Sequence, residues 1–158
     1  MRGKDFRAGV GAVIINRDGL IFAGERIAEP GNWQMPQGGL NADEAPLTGL
    51  YREVWEETAI SPDLLHLLEE YPGWLSYELP DDFNMRRQYR GQTQKWYLLR
   101  FAGASEDVSL EKAIDKEFRD WKWISADQLL NGIVAFKRPV YRQLFQRFSE
   151  HLEMGESL

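Results

Sequence analysis

Between Gly38 and Ile60 the chain reads GGLNADEAPLTGLYREVWEETAI, which crowds Glu53, Glu56 and Glu57 together directly behind Arg52. Leu47, Leu50, Tyr51 and Val54 recur at i, i+3, i+4 and i+7, the spacing of one apolar helix face. At about 100° per residue the three glutamates then span roughly a 100° arc away from that stripe. They are expected on one exposed face. A glutamate pair alone is ordinarily a solvated surface. Here the repulsion at helical spacing has one nearby cation, Arg52, set N-terminal to Glu56 in the less favourable order for a surface pair. A hard divalent cation would relieve it, because Mg²⁺ is held by one or two carboxylates together with water and substrate phosphate oxygens.

The elements that must position this cluster follow from local pattern. AGVGAVIIN (Ala8 to Asn16), the turn Arg17-Asp18-Gly19 and LIFAGER read as a β-hairpin. Ala28 to Asn32 is a loop, and WQMP is a short extended piece in which Pro36 keeps Met35 out of helix. The helix is expected from Glu44 to about Thr58, with Asp43 as N-cap and Pro46 in the first turn, where a missing N–H is harmless. Thr93 to Phe101 and Phe118 to Ile124 read as strands. SADQLLNG is expected to be a short helix capped by Ser125, and PVYRQLFQRFSEHL a helix starting on Pro139. Gly103 to Lys116 is the longest expected loop. The fold class is α+β around a mixed sheet. Trp74, Trp96, Trp121 and Trp123 are read as packing residues, since aromatics at alternating strand positions face or flank a core.

A chain of 158 residues, 43% hydrophobic and 13% aromatic, is sized for one domain over 1–158 with its core at about 6–150. Zero cysteines exclude disulfide staples and thiolate metal sites. No apolar run is long enough to span a bilayer and MRGKDFR lacks a secretory h-region, so a cytoplasmic location away from membranes is expected. The net charge of -6 argues against broad binding to nucleic-acid backbones, DNA included. Positive charge is nevertheless segregated in NMRRQYRGQTQKWYLLR, where Arg86, Arg87 and Arg90 are a weak hint of a patch that guides a polyanion.

Gly38, five residues, Glu44, seven residues, then Arg52-Glu53-Val54-Trp55-Glu56-Glu57-Thr58-Ala59-Ile60 resembles the Nudix box. One position departs, Ala59 standing where the pattern has glycine. If it keeps a left-handed turn there, Ala59 costs on the order of 1 kcal/mol. NWQMPQGGLNADEAPLTGLYREVWEE, GQTQKWYLLRF, EFRDWKWIS and VAFKRPVYRQLFQRF extend the likeness over most of Phe6 to Phe148. They are similar to the bacterial RNA pyrophosphohydrolase and dinucleoside polyphosphate hydrolase group of Nudix hydrolases.

The resemblance implies a Nudix fold, a mixed sheet sandwiched between helices (α/β/α). It also implies metal-dependent hydrolysis of a pyrophosphate linkage, in an RNA 5′ triphosphate end or a dinucleoside polyphosphate such as diadenosine tetraphosphate. Glu53, Glu56, Glu57 and Glu117 are the implied metal ligands, with Mg²⁺ foremost and Mn²⁺ or Zn²⁺ as alternatives. Glu56, Glu57 or Glu117 is also a candidate base. Glu44 and Arg52 are expected to brace the loop and helix, Arg52 by pairing within the cluster. Gly38 and Gly39 let the backbone pass close to the metal. Arg26 and Phe136 match positions that grip a base, and Arg7 and Lys137 match contacts to substrate phosphates. Taken singly, Phe136 is more often core and the cations ordinary surface residues. Rival readings are the same chemistry on a nucleotide sugar or nucleoside triphosphate, and a Nudix-like binding module without catalysis. Oligomeric state is left open.

Overall fold

A computed structural model of the chain describes residues 5–80, 89–153 and 155, so Arg86 and Arg87 of the expected basic patch lie outside the described residues. At its centre β1 (Phe6–Ile15) and β7 (Gly91–Phe101) run parallel in register from Phe6↔Gly91 to Ile15↔Arg100. Parallel strands need a long crossover, and the chain between them carries β2 (Ile21–Arg26), β3 (Trp33–Gln34), β4 (Gln37–Gly39), α1 (Pro46–Thr58), β5 (Leu65–Glu70) and β6 (Leu75–Glu78). β8 (Phe118–Ile124), α2 (Ala126–Gly132) and α3 (Arg138–Arg147) follow. The result among the described residues is an eight-stranded mixed sheet.

Alternation along β1 assigns the two cores. Val10, Ala12 and Ile14 face Leu50 and Val54 of α1. Val13 and Ile15 join Trp96, Leu98, Leu129, Val140, Tyr141 and Leu144, so α2 and α3 cover the opposite face. The expected sandwich is therefore the observed one. Leu50 and Val54 are buried, each burial contributing about 1.5–3 kcal/mol to holding α1 against the sheet.

Local signals reproduce well where they are strong. β8 spans the expected residues, and the Ser125 hydroxyl accepts from the Gln128 N–H as the cap of α2. Three expectations need correction. Asp43 is not the N-cap of α1: Pro46 opens the helix and holds Ala45 extended, while Asp43 takes a left-handed conformation (φ 63°) in the turn before it. The β1–β2 hairpin is confined to one registered pair, Ile15↔Ile21. Beyond it the same edge of β1 is taken by β4, through Gly9↔Gly39, Val10↔Gly38 and Gly11↔Gln37, while β2 turns to β8 and β3. Trp74 is not a packing residue but is exposed, whereas Trp96 is buried and Trp121 stacks on Phe22 at 5.4 Å.

Candidate active site

β4 is laid along β1 where α1 passes, and its glycines make that approach possible. A Cβ on Gly38 would stand 2.0 Å from the Glu53 carboxylate, and one on Gly39 would stand 2.2 Å from the Arg7 guanidinium. Strand backbone therefore covers the glutamate face of the helix. The expectation of one exposed face is corrected accordingly: Glu53 and Glu57 are buried, 9% and 3% exposed. The remaining cover is the loop before β8, whose Asp115 N–H donates to the Glu56 carbonyl at 2.9 Å.

Arg52 sits at the outer side of this face. It grips Glu44 with two parallel bonds of 2.8 Å, and donates to Glu53 at 2.9 Å, to Glu56 at 3.0 Å and to the Gly39 carbonyl at 2.9 Å. Glu44 in turn accepts from the Asn41 N–H. The Arg52 bonds, aided by that backbone bond, lower the Glu44 carboxyl to about 2. Arg52 thus pairs with Glu44 and with Glu53 and Glu56 of the cluster.

Glu57 sits on the inner side, with no such partner. Its Oε2 is buried without a hydrogen bond. Burial, then the charges of Glu53 and Glu117, push its carboxyl well above the usual range. Burial likewise raises Glu53, against the pull of Arg52. One carboxylate oxygen each from Glu53, Glu56 and Asp115 lie within 4.8 Å of one another. An all-oxygen set of hard donors, beside an orphaned buried carboxylate oxygen, suits a hard divalent cation.

Three cations border the same pocket as these acids. Arg7, Arg26 and Lys137 line it together with Glu53, Glu57, Asp115, Glu117 and Phe136. A register shift between Glu25 and Arg26 ends β2 in a bulge and turns Arg26 toward β8. There Arg26 Nε donates to Glu117 at 3.1 Å and Nη1 to Glu29 at 2.8 Å. Lys137 is 5% exposed; its ammonium donates to Gln34 Oε1 at 2.8 Å and stands 5.7 Å and 6.0 Å from the Tyr77 and Phe136 ring centres. Burial and the Arg26 charge lower it to about 8. Phe136 is half-buried, its ring 5.5 Å from Tyr77. Arg90 is engaged elsewhere, with Glu78 and over the Phe6 ring.

Every expected site residue except the brace (Glu44 and Arg52) and Glu56 therefore borders one pocket, and Glu56 joins it through the Asp115 cluster. Sequence reasoning missed Asp115, Gln34, Gln37, Tyr77 and Gln92. The signal for Asp115 was present in AIDKEF, an acid two residues before Glu117 in a loop read only as a connection. Gln37 keeps a buried Oε1 without a partner, so the pocket offers an acceptor as well as charges.

The chain is 44% identical over 151 residues to an RNA pyrophosphohydrolase of Cereibacter sphaeroides (strain KD131), covering 93% of each chain. It is 42% identical to an RNA pyrophosphohydrolase of Zymomonas mobilis, over 96% of this chain and 100% of that one. In fold it is similar to a C. elegans Ap4A hydrolase, with a TM-score of 0.66, 18% identity and coverage of 90% and 98%. The model of the NUDIX domain matches residues 5–144. With the box on α1, its braced arginine and its carboxylates turned into one pocket, the chain belongs to the Nudix family.

Proposed function

We propose that the protein is a divalent-metal-dependent hydrolase that removes pyrophosphate from triphosphorylated RNA 5′ ends. The observation that carries this reading is one pocket lined both by Glu57, which keeps a carboxylate oxygen without a hydrogen bond, and by Lys137, whose ammonium is buried. A polyphosphate with its cations complements both kinds of charge at once, and the RNA pyrophosphohydrolases at 42–44% identity support the RNA end as substrate.

Glu53, Glu56 and Glu57, with Glu117 and Asp115, are the residues that would hold divalent cations, Mg²⁺ first. When bound, these neutralise phosphate charge and lower the pKa of a water. The chain's own residues do the rest. Arg7 and Lys137 hold phosphate oxygens, and Arg26 and Phe136 clamp a base between a guanidinium plane and a ring, an arrangement worth about 1–3 kcal/mol per stacked base. Glu56 or Glu57 receives the proton of the attacking water. Its oxygen bonds to phosphorus as the bridging P–O bond breaks, and pyrophosphate leaves with the electron pair. Arg52 keeps the carboxylates in place, and Glu44 keeps Arg52 in place. Such an enzyme works in the cytoplasm.

The test compares pyrophosphate release from triphosphorylated RNA with cleavage of diadenosine tetraphosphate, at equal enzyme and Mg²⁺. RNA is expected to be the better substrate. Preference for the dinucleotide moves the assignment within the group, and cleavage of neither alongside that of an ADP-linked sugar overturns the substrate while leaving the reaction class.

A further inference from the structure

Leading away from the pocket, the sheet buries a line of polar side chains that the proposed reaction does not use directly. Gln92, Gln94 and Trp96 alternate along β7 and so share one face. Trp96 and Gln94 are each 0% exposed. Trp96 Nε1 donates to Gln94 Oε1 at 3.0 Å, and Gln94 Nε2 donates to Gln92 Oε1 at 3.0 Å. Gln92 is the last member and lines the pocket, in register with Arg7 on β1 and with Tyr77 on β6.

The line has a direction that chemistry alone dictates. An indole N–H donates and cannot accept, so the Gln94 oxygen must face Trp96 and its NH₂ must face outward. Gln92 must then offer its oxygen to Gln94, which leaves its NH₂ for the pocket. Reversing any amide would set two buried donors against each other. Trp96 is itself held: a Cβ on Gly11 of β1 would lie 2.5 Å from its ring, so the indole lies over the bare backbone of Gly11, and Tyr141 packs edge-on at 6.0 Å.

We infer that Trp96 and Gln94 are positioning residues that fix the Gln92 amide as a donor toward phosphate oxygens of the substrate. This rests on the phosphate-binding role proposed for the pocket. Arg7 and Gln92, side by side, then read the same anionic group, one by charge and one by direction.

The test is a double-mutant cycle read as affinity for pyrophosphate with Mg²⁺ by calorimetry. Gln92→Met removes the donor and is expected to weaken binding about tenfold, the effect of losing one hydrogen bond to a charged group. Gln94→Glu accepts from both neighbours, turns Gln92 so that its oxygen faces the pocket, and is expected to weaken binding by about as much. In the Gln92→Met protein, Gln94→Glu is expected to change affinity less than about twofold, because there is no amide left to turn. Simple repulsion by the new carboxylate, or a general loosening of the core, would persist there, and effects that multiply overturn the inference. So does unchanged affinity in Gln92→Met, or a wild-type protein that does not bind pyrophosphate. Should Gln94→Glu not fold, Gln94→Met replaces it, with a smaller weakening that must also vanish beside Gln92→Met. Hydrolysis of triphosphorylated RNA by the wild-type protein is measured separately: its failure overturns the proposed substrate and leaves the affinity cycle intact.

Discussion

Glu44 and Glu57 stand at opposite ends of α1, one just before its first residue and one in its last turn, and they meet opposite surroundings. Both oxygens of Glu44 lie on the Arg52 guanidinium, and its carboxyl is lowered to about 2. Glu57 is more deeply buried, has one oxygen without a partner and is raised well above the usual range. The same residue type is fully satisfied at one place and starved of positive charge at the other. The difference separates bracing from binding. A carboxylate matched to a cation within the chain fixes geometry, and one buried without such a cation is held in readiness for one from outside, since an uncompensated buried charge is otherwise strongly unfavourable.

Replacing the starved carboxylate is the sharpest way to break this contrast. Glu57→Gln is expected to lower turnover on the RNA substrate at least about 100-fold, as loss of a charged metal ligand should. Stability should move the other way, because the amide removes a buried like charge beside Glu53 and Glu117. In metal-free buffer the thermal midpoint of Glu57→Gln is expected at or above that of the wild type. Near-wild-type turnover with Mg²⁺ would remove Glu57 from the metal seat, and a collapsed midpoint would make it structural.

The paired side is tested by removing its cation. Arg52→Met strands Glu44, Glu53 and Glu56 together, and with the guanidinium a quarter exposed the expected loss is about 2 kcal/mol in urea unfolding. The stabilisation gained on adding Mg²⁺ should grow, since the ion then relieves more repulsion than it does in the wild type. An unchanged unfolding midpoint would show that Arg52 braces nothing.

How much of this contrast was legible in the sequence differs for its two parts. The apolar stripe of α1 and the clustering of Glu53, Glu56 and Glu57 are set by residues within one or two helical turns, and local periodicity recovers them, whereas the pairing of Arg52 with Glu44 was implied only by the resemblance to the Nudix box. Burial of Glu53 and Glu57 is not local. It arises because β4 is threaded along the β1 edge and the loop carrying Asp115 docks on the Glu56 carbonyl. Neither event leaves a periodic trace in the glutamates themselves. β5 and β6 escaped notice for a related reason: both lie on the outer edge of β7, and LHLLEE carries no clean alternation. The contribution of Asp115 depended on the same docking. The Asp43 cap failed because Pro46 restrains the residue before it, a constraint that outweighed the preference of aspartate for caps.

Opposite pKa shifts give opposite pH dependence, a finer probe of the same pair. Glu44, lowered in the fold, contributes stability that is present above its unfolded value of 4.5 and is lost as pH falls toward about 2. Glu57, raised in the fold, contributes stability that is present below 4.5 and lost as pH rises through its folded value. The proton on the buried Glu57 carboxyl shifts the unfolding free energy by at most about 1.4 kcal/mol per pH unit. With metal chelated, the wild type is therefore expected to lose stability as pH rises above 4.5, and Glu57→Gln to show a flatter profile over the same range. Identical slopes would mean that the Glu57 carboxyl is not raised in the folded protein.

The smallest effect tests where the helix between the two carboxylates ends. Ala59 closes α1 in the left-handed region at φ 59° and ψ 20°, its N–H bonded to the Trp55 carbonyl. Glycine suits that conformation, and an L side chain there is strained by about 1–2 kcal/mol. Glycine also gains freedom in the unfolded chain, which offsets about 0.5–1 kcal/mol. Ala59→Gly is therefore expected to stabilise by about 0.5–1 kcal/mol in urea unfolding and to leave turnover unchanged, since it touches neither the Arg52 pairings nor the carboxylates. A loss of stability would show that the Ala59 methyl contributes packing in the groove it shares with Trp55 and Lys112. A change in turnover would show that the last turn, and with it the placement of Glu57, is held by this cap and not by the strand that covers it.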